Sequence, residues 1–293
     1  MLWAESFMGV DIMAYRSLLT VAAATEGVAA TVSAAAQLAQ AMDAHLDALA
    51  LGVDRTQVGY SYVGSGAVVI AAAMERAETE AREAEAALNA ALGAQSPSLR
   101  SSVESVVTQL GALTDVVAAR ARYSDLTVLP LPYGKGRGVE DEAITEAALF
   151  EGMSPVLIIP PGGMKNAEPK RIVLAWNQSR EALVAARRAM PFLKRAEMVQ
   201  IVVVDPPTHG SERSDPGGLL CQLLVRHGVR AEVSVLARTL PRVSEVLARQ
   251  VRDLDAGMLV MGAYGHSRFR EAILGGATRD MLEAAEVPVF LAH

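Results

Sequence analysis

A single cysteine, Cys221, in 293 residues excludes an internal disulfide framework and any multi-cysteine metal site. It sits in a helical apolar pattern with Leu219, Leu220, Leu223 and Leu224, which reads as a small buried residue rather than a reactive thiol. Aromatics are scarce too: 4% of a chain that is 51% hydrophobic. Much of the apolar content is alanine, which suits close helix packing more than a bulky core. There is no excess of positive charge; the net charge of −6 argues against non-specific nucleic-acid binding and gives no reason for affinity to acidic membranes. No run approaches the ~18 apolar residues of a membrane span, and the longest candidate, Ala67 to Met74, ends in Glu75-Arg76. The first residues carry Glu5 and Asp11 and lack a basic leader, unlike a secretory signal. A soluble cytoplasmic protein is the expectation. Met13-Ala14-Tyr15-Arg16 reads like a natural start, so residues 1–12 are expected to be an upstream extension.

What the chain does have is an internal repeat. Residues 17–21 (SLLTV) form an apolar run, followed by Thr25-Glu26-Gly27, an alanine-rich helical pattern to about Met42, and a second strand over His45–Val53 that closes on Asp54. In the second half, residues 171–176 (RIVLAW) lead into Asn177-Gln178-Ser179-Arg180-Glu181, a helix to Leu193, and a strand over Met198–Val204 that closes on Asp205. The ends correspond as well: Ser124–Pro130 parallels Asp255–Gly262, and Thr145–Ile159 parallels Thr278–Ala292, with Pro155 aligned to Pro288. The chain therefore reads as a tandem duplication with domains over 14–161 and 167–293, split at the turn-rich Pro160-Pro161-Gly162-Gly163.

In the second domain, strands are expected at 171–176, 198–204, 230–236, 258–262 and 288–292, with helices at 180–193, 216–227, 242–253 and 276–285 between them. Strands separated by helices imply right-handed crossovers and a buried parallel sheet, an α/β class. The first domain carries an extra helical piece over Ala67–Leu92, whose glutamates read as a solvated face.

The closing segment is the most informative. The apolar run Met258–Met261 ends at Gly262; Gly265, His266-Ser267-Arg268-Phe269-Arg270 and the pair Gly275-Gly276 follow, just before a helical pattern and Val287–Leu291. A buried strand, a glycine-gated loop and a helix N-terminus make a cradle for an anion. Glycine at the strand exit permits positive φ and close approach to a ligand.

Gly262-x-x-Gly265, nine residues, then Gly275 and a small residue resembles the nucleotide loop of the universal stress protein family. Val260–Leu291 resembles that family's C-terminal signature throughout, and Val173–Glu181 its first strand and turn. The resemblance covers the second domain and, more faintly, the ends of the first, which reads as a degenerate copy. It implies two tandem open-sheet domains, Rossmann-like and similar to adenine nucleotide α-hydrolases, with strand order 3-2-1-4-5. The final strands would pack together as an intramolecular pseudo-dimer; a homodimer is left open. The switch point of that order puts a crevice where the first and fourth strands end, at Asn177 and Gly262.

The resemblance further implies a stress-response protein that binds ATP, with Mg²⁺ accompanying it, or a related nucleotide or anion. The contacts it implies are Ala175, Trp176, Asn177, Met261, Gly262, Gly265, His266, Arg268, Gly275, Gly276, Ala277 and Thr278. The sequence departs from the nucleotide-binding members twice: Asn177 stands in place of an acidic residue, and Gly276 in place of a Ser or Thr. Thr278 is a candidate substitute hydroxyl, and Trp176 either stacks on a base or fills its pocket. Arg268, Arg270 and Arg279 lie near the loop, each open to pairing with Glu271 or Asp280 instead. In the first domain Ala23 replaces Asn177, Pro130-Leu131-Pro132 replaces the first glycines, Glu142-Ala143 aligns with Gly275-Gly276, and Gly134–Gly138 reads as a mobile loop. The alternatives are a scaffold of the same family without ligand and, least favoured, a slow ATPase. No nucleophile–base set, metal cluster or carboxylate pair surrounds the loop, so no catalytic residue is assigned.

Overall fold

The computed structural model describes residues 15–56, 66–134, 137–206, 214–263 and 276–293. Five strands come from the first half: β1 (Ser17–Ala22), β2 (His45–Asp54), β3 (Arg100–Gln109), β4 (Leu126–Pro130) and β5 (Val156–Ile159). Five come from the second: β6 (Arg171–Ala175), β7 (Met198–Val204), β8 (Ala231–Leu236), β9 (Met258–Gly262) and β10 (Val289–Ala292). They form one ten-stranded sheet in the order β3-β2-β1-β4-β5-β10-β9-β6-β7-β8. Each half thus shows the expected 3-2-1-4-5 order, all parallel within itself.

The seam is antiparallel: β5 pairs with β10, with Phe290 opposite Leu157. The final strands therefore hydrogen-bond edge to edge, and each closes an edge the other would leave open. Both hydrophobic layers run across the seam. One face joins Leu18, Leu38 and Leu157 to Leu174, Phe192 and Phe290, and the other joins Leu19, Val117 and Ile158 to Val173, Leu259 and Leu291.

The helices described are α1 (Val28–Met42), α2 (Gly66–Gly93), α3 (Leu113–Ala121), α4 (Val139–Glu146), α5 (Arg180–Arg188), α6 (Met190–Leu193), α7 (Gly218–Arg226), α8 (Val243–Asp253) and α9 (Ala277–Glu283). The helix expected over 180–193 is broken at Ala189, because Pro191 opens α6 and has no N–H for a continuous ladder. The 67–92 piece is not an addition to the fold. It is α2, which links β2 to β3 as the much shorter α7 links β7 to β8. Its buried face is Ala77, Ala81, Ala84 and Leu88, while Glu75, Glu78 and Glu83 face solvent. Small residues let it lie directly on β2: a Cβ at Gly52 would come 1.9 Å from the Ala77 carbonyl oxygen.

Among the described residues, no helix is long and apolar enough to cross a membrane. Residues 1–14, with the expected upstream extension, lie outside the described residues.

Candidate functional site

The carboxyl ends of β6 and β9 lie side by side and bound the crevice of the second half. Ala175 is the last residue of β6. Trp176 follows, its N–H donating to the Val202 carbonyl at 2.9 Å. Its indole continues the face of Ile172 and Leu174 and is only 8% exposed. Nε1 of Trp176 is buried and finds no hydrogen-bond partner among the described residues.

Asn177 turns its Oδ1 back to accept from the Ser179 N–H at 3.1 Å, and Gln178 between them sits at φ 64°. This is a side-chain-closed turn of the kind asparagine favours. Ser179 then caps α5, its Oγ accepting from the Ala182 N–H at 3.1 Å. Two N–H groups at the start of α5, those of Ser179 and Ala182, are therefore met from within the chain.

Gly262 does not take the positive φ that the sequence suggested. It is not among the glycines with positive φ. A Cβ there would come 2.5 Å from the Ala182 nitrogen and 2.7 Å from the Glu181 carbonyl carbon. It is glycine because the start of α5 packs directly on the end of β9, not because the backbone there turns left-handed. Met261 is buried.

Gly265, His266, Arg268, Arg270, Glu271 and Gly275 lie outside the described residues. On the far side of that stretch, Gly276 caps α9 with extended backbone, φ −73° and ψ 150°. Ala277 is exposed, and Thr278, in the first turn of α9, is buried and has a partner of its own. Arg279 is engaged: its Nε donates to Glu283 at 3.1 Å, and its guanidinium lies 4.7 Å from the Tyr133 ring centre. Asp280, the partner the sequence suggested, instead accepts from Arg242 at 3.1 Å.

The first-half crevice, at the ends of β1 and β4, is filled by the chain itself. Arg137 pairs with Asp141 at 3.3 Å, and its Nη2 would meet a Cβ on Gly27 at 2.8 Å. Asp141 also accepts from the Gly138 N–H at 2.9 Å, capping α4, and Glu140 and Glu142 flank it in the first turn. Carboxylates thus already occupy the electropositive end of that helix. Arg55 ties Glu80 of α2 (2.8 Å) to Glu140 of α4 (2.6 Å), and these two hydrogen bonds hold its guanidinium pKa above the usual value despite the opposing effect of burial. The space left among Thr20, Thr31, Arg137 and Thr145 is about 20 Å³, roughly one water. Arg137 and Gly138 thus make defined contacts, while Lys135 and Gly136, the middle of the loop read as mobile, lie outside the described residues. Glu142-Ala143, aligned with Gly275-Gly276, lies inside α4 rather than at its start.

Among the described residues, no group of His, Cys, Asp and Glu is arranged to hold a metal ion.

Residues 168–293 match the model of the Universal stress protein family. A universal stress protein of Synechocystis is 26% identical over 124 residues, 41% of this chain and 41% of that protein, so the chain spans less than half the length of that relative. A universal stress protein from Archaeoglobus fulgidus has a similar structure, with TM-score 0.67, 16% identity and coverage of 94% of this chain and 95% of that one. A functionally unknown protein from Pseudomonas aeruginosa gives TM-score 0.53 at 16% identity, covering 96% and 93%. At such identities the structural likeness establishes the shared fold.

Proposed function

The C-terminal half of the chain belongs to the Universal stress protein family, and from that premise we propose that the protein is a stress-response protein whose C-terminal crevice takes a nucleotide, ATP or a relative of it, as a regulatory ligand. The match of residues 168–293 to the family carries this reading. The crevice supports it: β6 and β9 are neighbours whose ends meet at the switch point of the sheet, where open α/β sheets take their ligands. Asn177 retains an amide for a ribose hydroxyl but brings no carboxylate to a metal. The ligand would therefore be held by Trp176, Asn177 and the backbone around Gly262 and Gly276, and Mg²⁺ would accompany ATP through its phosphates.

The ligand-free scaffold is the second reading. It is favoured by the Asn177 side chain, which already closes its own turn, and by Gly276, which contributes no hydroxyl. Thermal unfolding with and without millimolar ATP and Mg²⁺ separates the two. At ~100 times its dissociation constant a ligand adds about 2.7 kcal/mol, a shift of several degrees in the midpoint. An unmoved midpoint with ATP, ADP and AMP would favour the scaffold.

A further inference from the structure

All three phenylalanines among the described residues, Phe150, Phe192 and Phe290, lie where the two halves meet. Phe192 stands edge-on to Tyr15 of the first half at 5.7 Å and to Phe290 at 5.9 Å. That trio is deep core. The aromatic groups nearer the C-terminal crevice are placed differently.

The Phe150 ring, from the first half, stands edge-on to the His293 ring at 4.8 Å and 80°. His293 Nδ1 lies 2.9 Å from the Ala263 carbonyl oxygen, and the Ala263 N–H donates to the Ala292 carbonyl at 2.9 Å. Ala263 is the residue that leaves β9, directly after Gly262. Phe150 therefore braces the exit of β9 through one intermediary.

Tyr133, also from the first half, presents its ring to Arg279, three residues beyond Gly276. Its hydroxyl donates to Glu142 of α4 at 3.2 Å. Arg279 is held by Glu283, and the Glu142 charge, the Tyr133 phenol and the Glu283 charge help to keep its guanidinium protonated. The start of α9 is thus tied to the first half through a cation–aromatic contact.

We propose that the N-terminal half is the positioning element of the C-terminal site: Phe150 and Tyr133 fix the exit of β9 and the start of α9 across the seam, and so set ligand affinity without touching ligand. The proposal rests on the nucleotide reading given above. It gives the first half, whose own crevice is filled, a role in binding. Two independent contacts reach both described flanks of the site, which a merely adhesive interface does not require.

The test is ATP binding by the full chain, measured calorimetrically for the wild type, Phe150→Ala, Tyr133→Ala and Tyr133→Phe. Tyr123→Ala serves as control, since Tyr123 is 82% exposed on the first half. Phe150→Ala and Tyr133→Ala should each weaken ATP by about fivefold or more. Tyr133→Phe, which keeps the ring for Arg279, should stay within about twofold, as should the control. If Tyr133→Ala does not fold, Arg279→Gln cuts the same link from the other side and should weaken ATP comparably. Wild-type affinity in the folded alanine variants overturns the proposal and leaves the nucleotide reading standing. A loss in Tyr133→Phe as large as in Tyr133→Ala also overturns it, because the ring contact would then not be the operative one. No ATP binding by the wild type overturns both.

Discussion

Trp176 concentrates the chemistry of the crevice in one side chain. Its ring is buried at the end of β6 while its N–H finds no acceptor among the described residues. The chain has two tryptophans, so Trp3→Phe leaves Trp176 as the sole indole. Its emission should lie well to the blue of an exposed tryptophan. It should shift or quench saturably as ATP is added, because a ligand at that wall changes the surroundings of the indole. Emission unchanged through saturation would remove Trp176 from the site. Cys221 makes a different case: it is half-buried rather than buried as its apolar pattern suggested. Burial, and then the charges of Asp215 and Glu232, push its thiol up, and its Sγ lies 3.4 Å from the Ala231 carbonyl oxygen. A raised pKa leaves less thiolate at neutral pH, so a disulfide reagent should react more slowly with the native chain than with the chain in denaturant, and the native rate should climb only at higher pH. Equal rates would contradict this placement.

Among the elements, α2 on β2 shows how the scarcity of large side chains is used. Alanines on the helix and Ala48, Ala50 and Gly52 beneath it allow near backbone contact. Gly52→Ala should therefore cost about 2–3 kcal/mol by overpacking, since the obstacle is a backbone oxygen that cannot rotate away. A loss below about 0.5 kcal/mol in a denaturant titration would show the packing to be looser than described. The same elements show what the sequence makes legible. The buried parallel strands are continuous apolar runs, and β6, β7 and β9 fall within a residue of their expected bounds. β3, by contrast, is an edge strand reading RSSVESVVTQ, mostly exposed, and neither alternation nor an apolar run announces it. Gly262 was legible as special, but its reason, the start of α5 pressed against it, depends on a helix that is distant in sequence. The links from Phe150 to His293 and from Tyr133 to Arg279 join residues of different halves, and no local pattern encodes them.

At the scale of the molecule, a duplicated chain has become an asymmetric pair on one sheet. The seam between β5 and β10 makes the halves a single body, as the tandem reading anticipated. The first crevice is narrowed by Arg137 and Asp141, which pair across it, while the second half carries the family match. Ligand occupancy should accordingly be one nucleotide per chain, although the fold contains two switch points. Isothermal titration of the full chain with ATP and Mg²⁺ reads that number. A stoichiometry of one, unchanged when Arg137→Ala removes a group from the first crevice, is expected. Two sites per chain, or none at millimolar ATP, would overturn the assignment of the ligand to the C-terminal half.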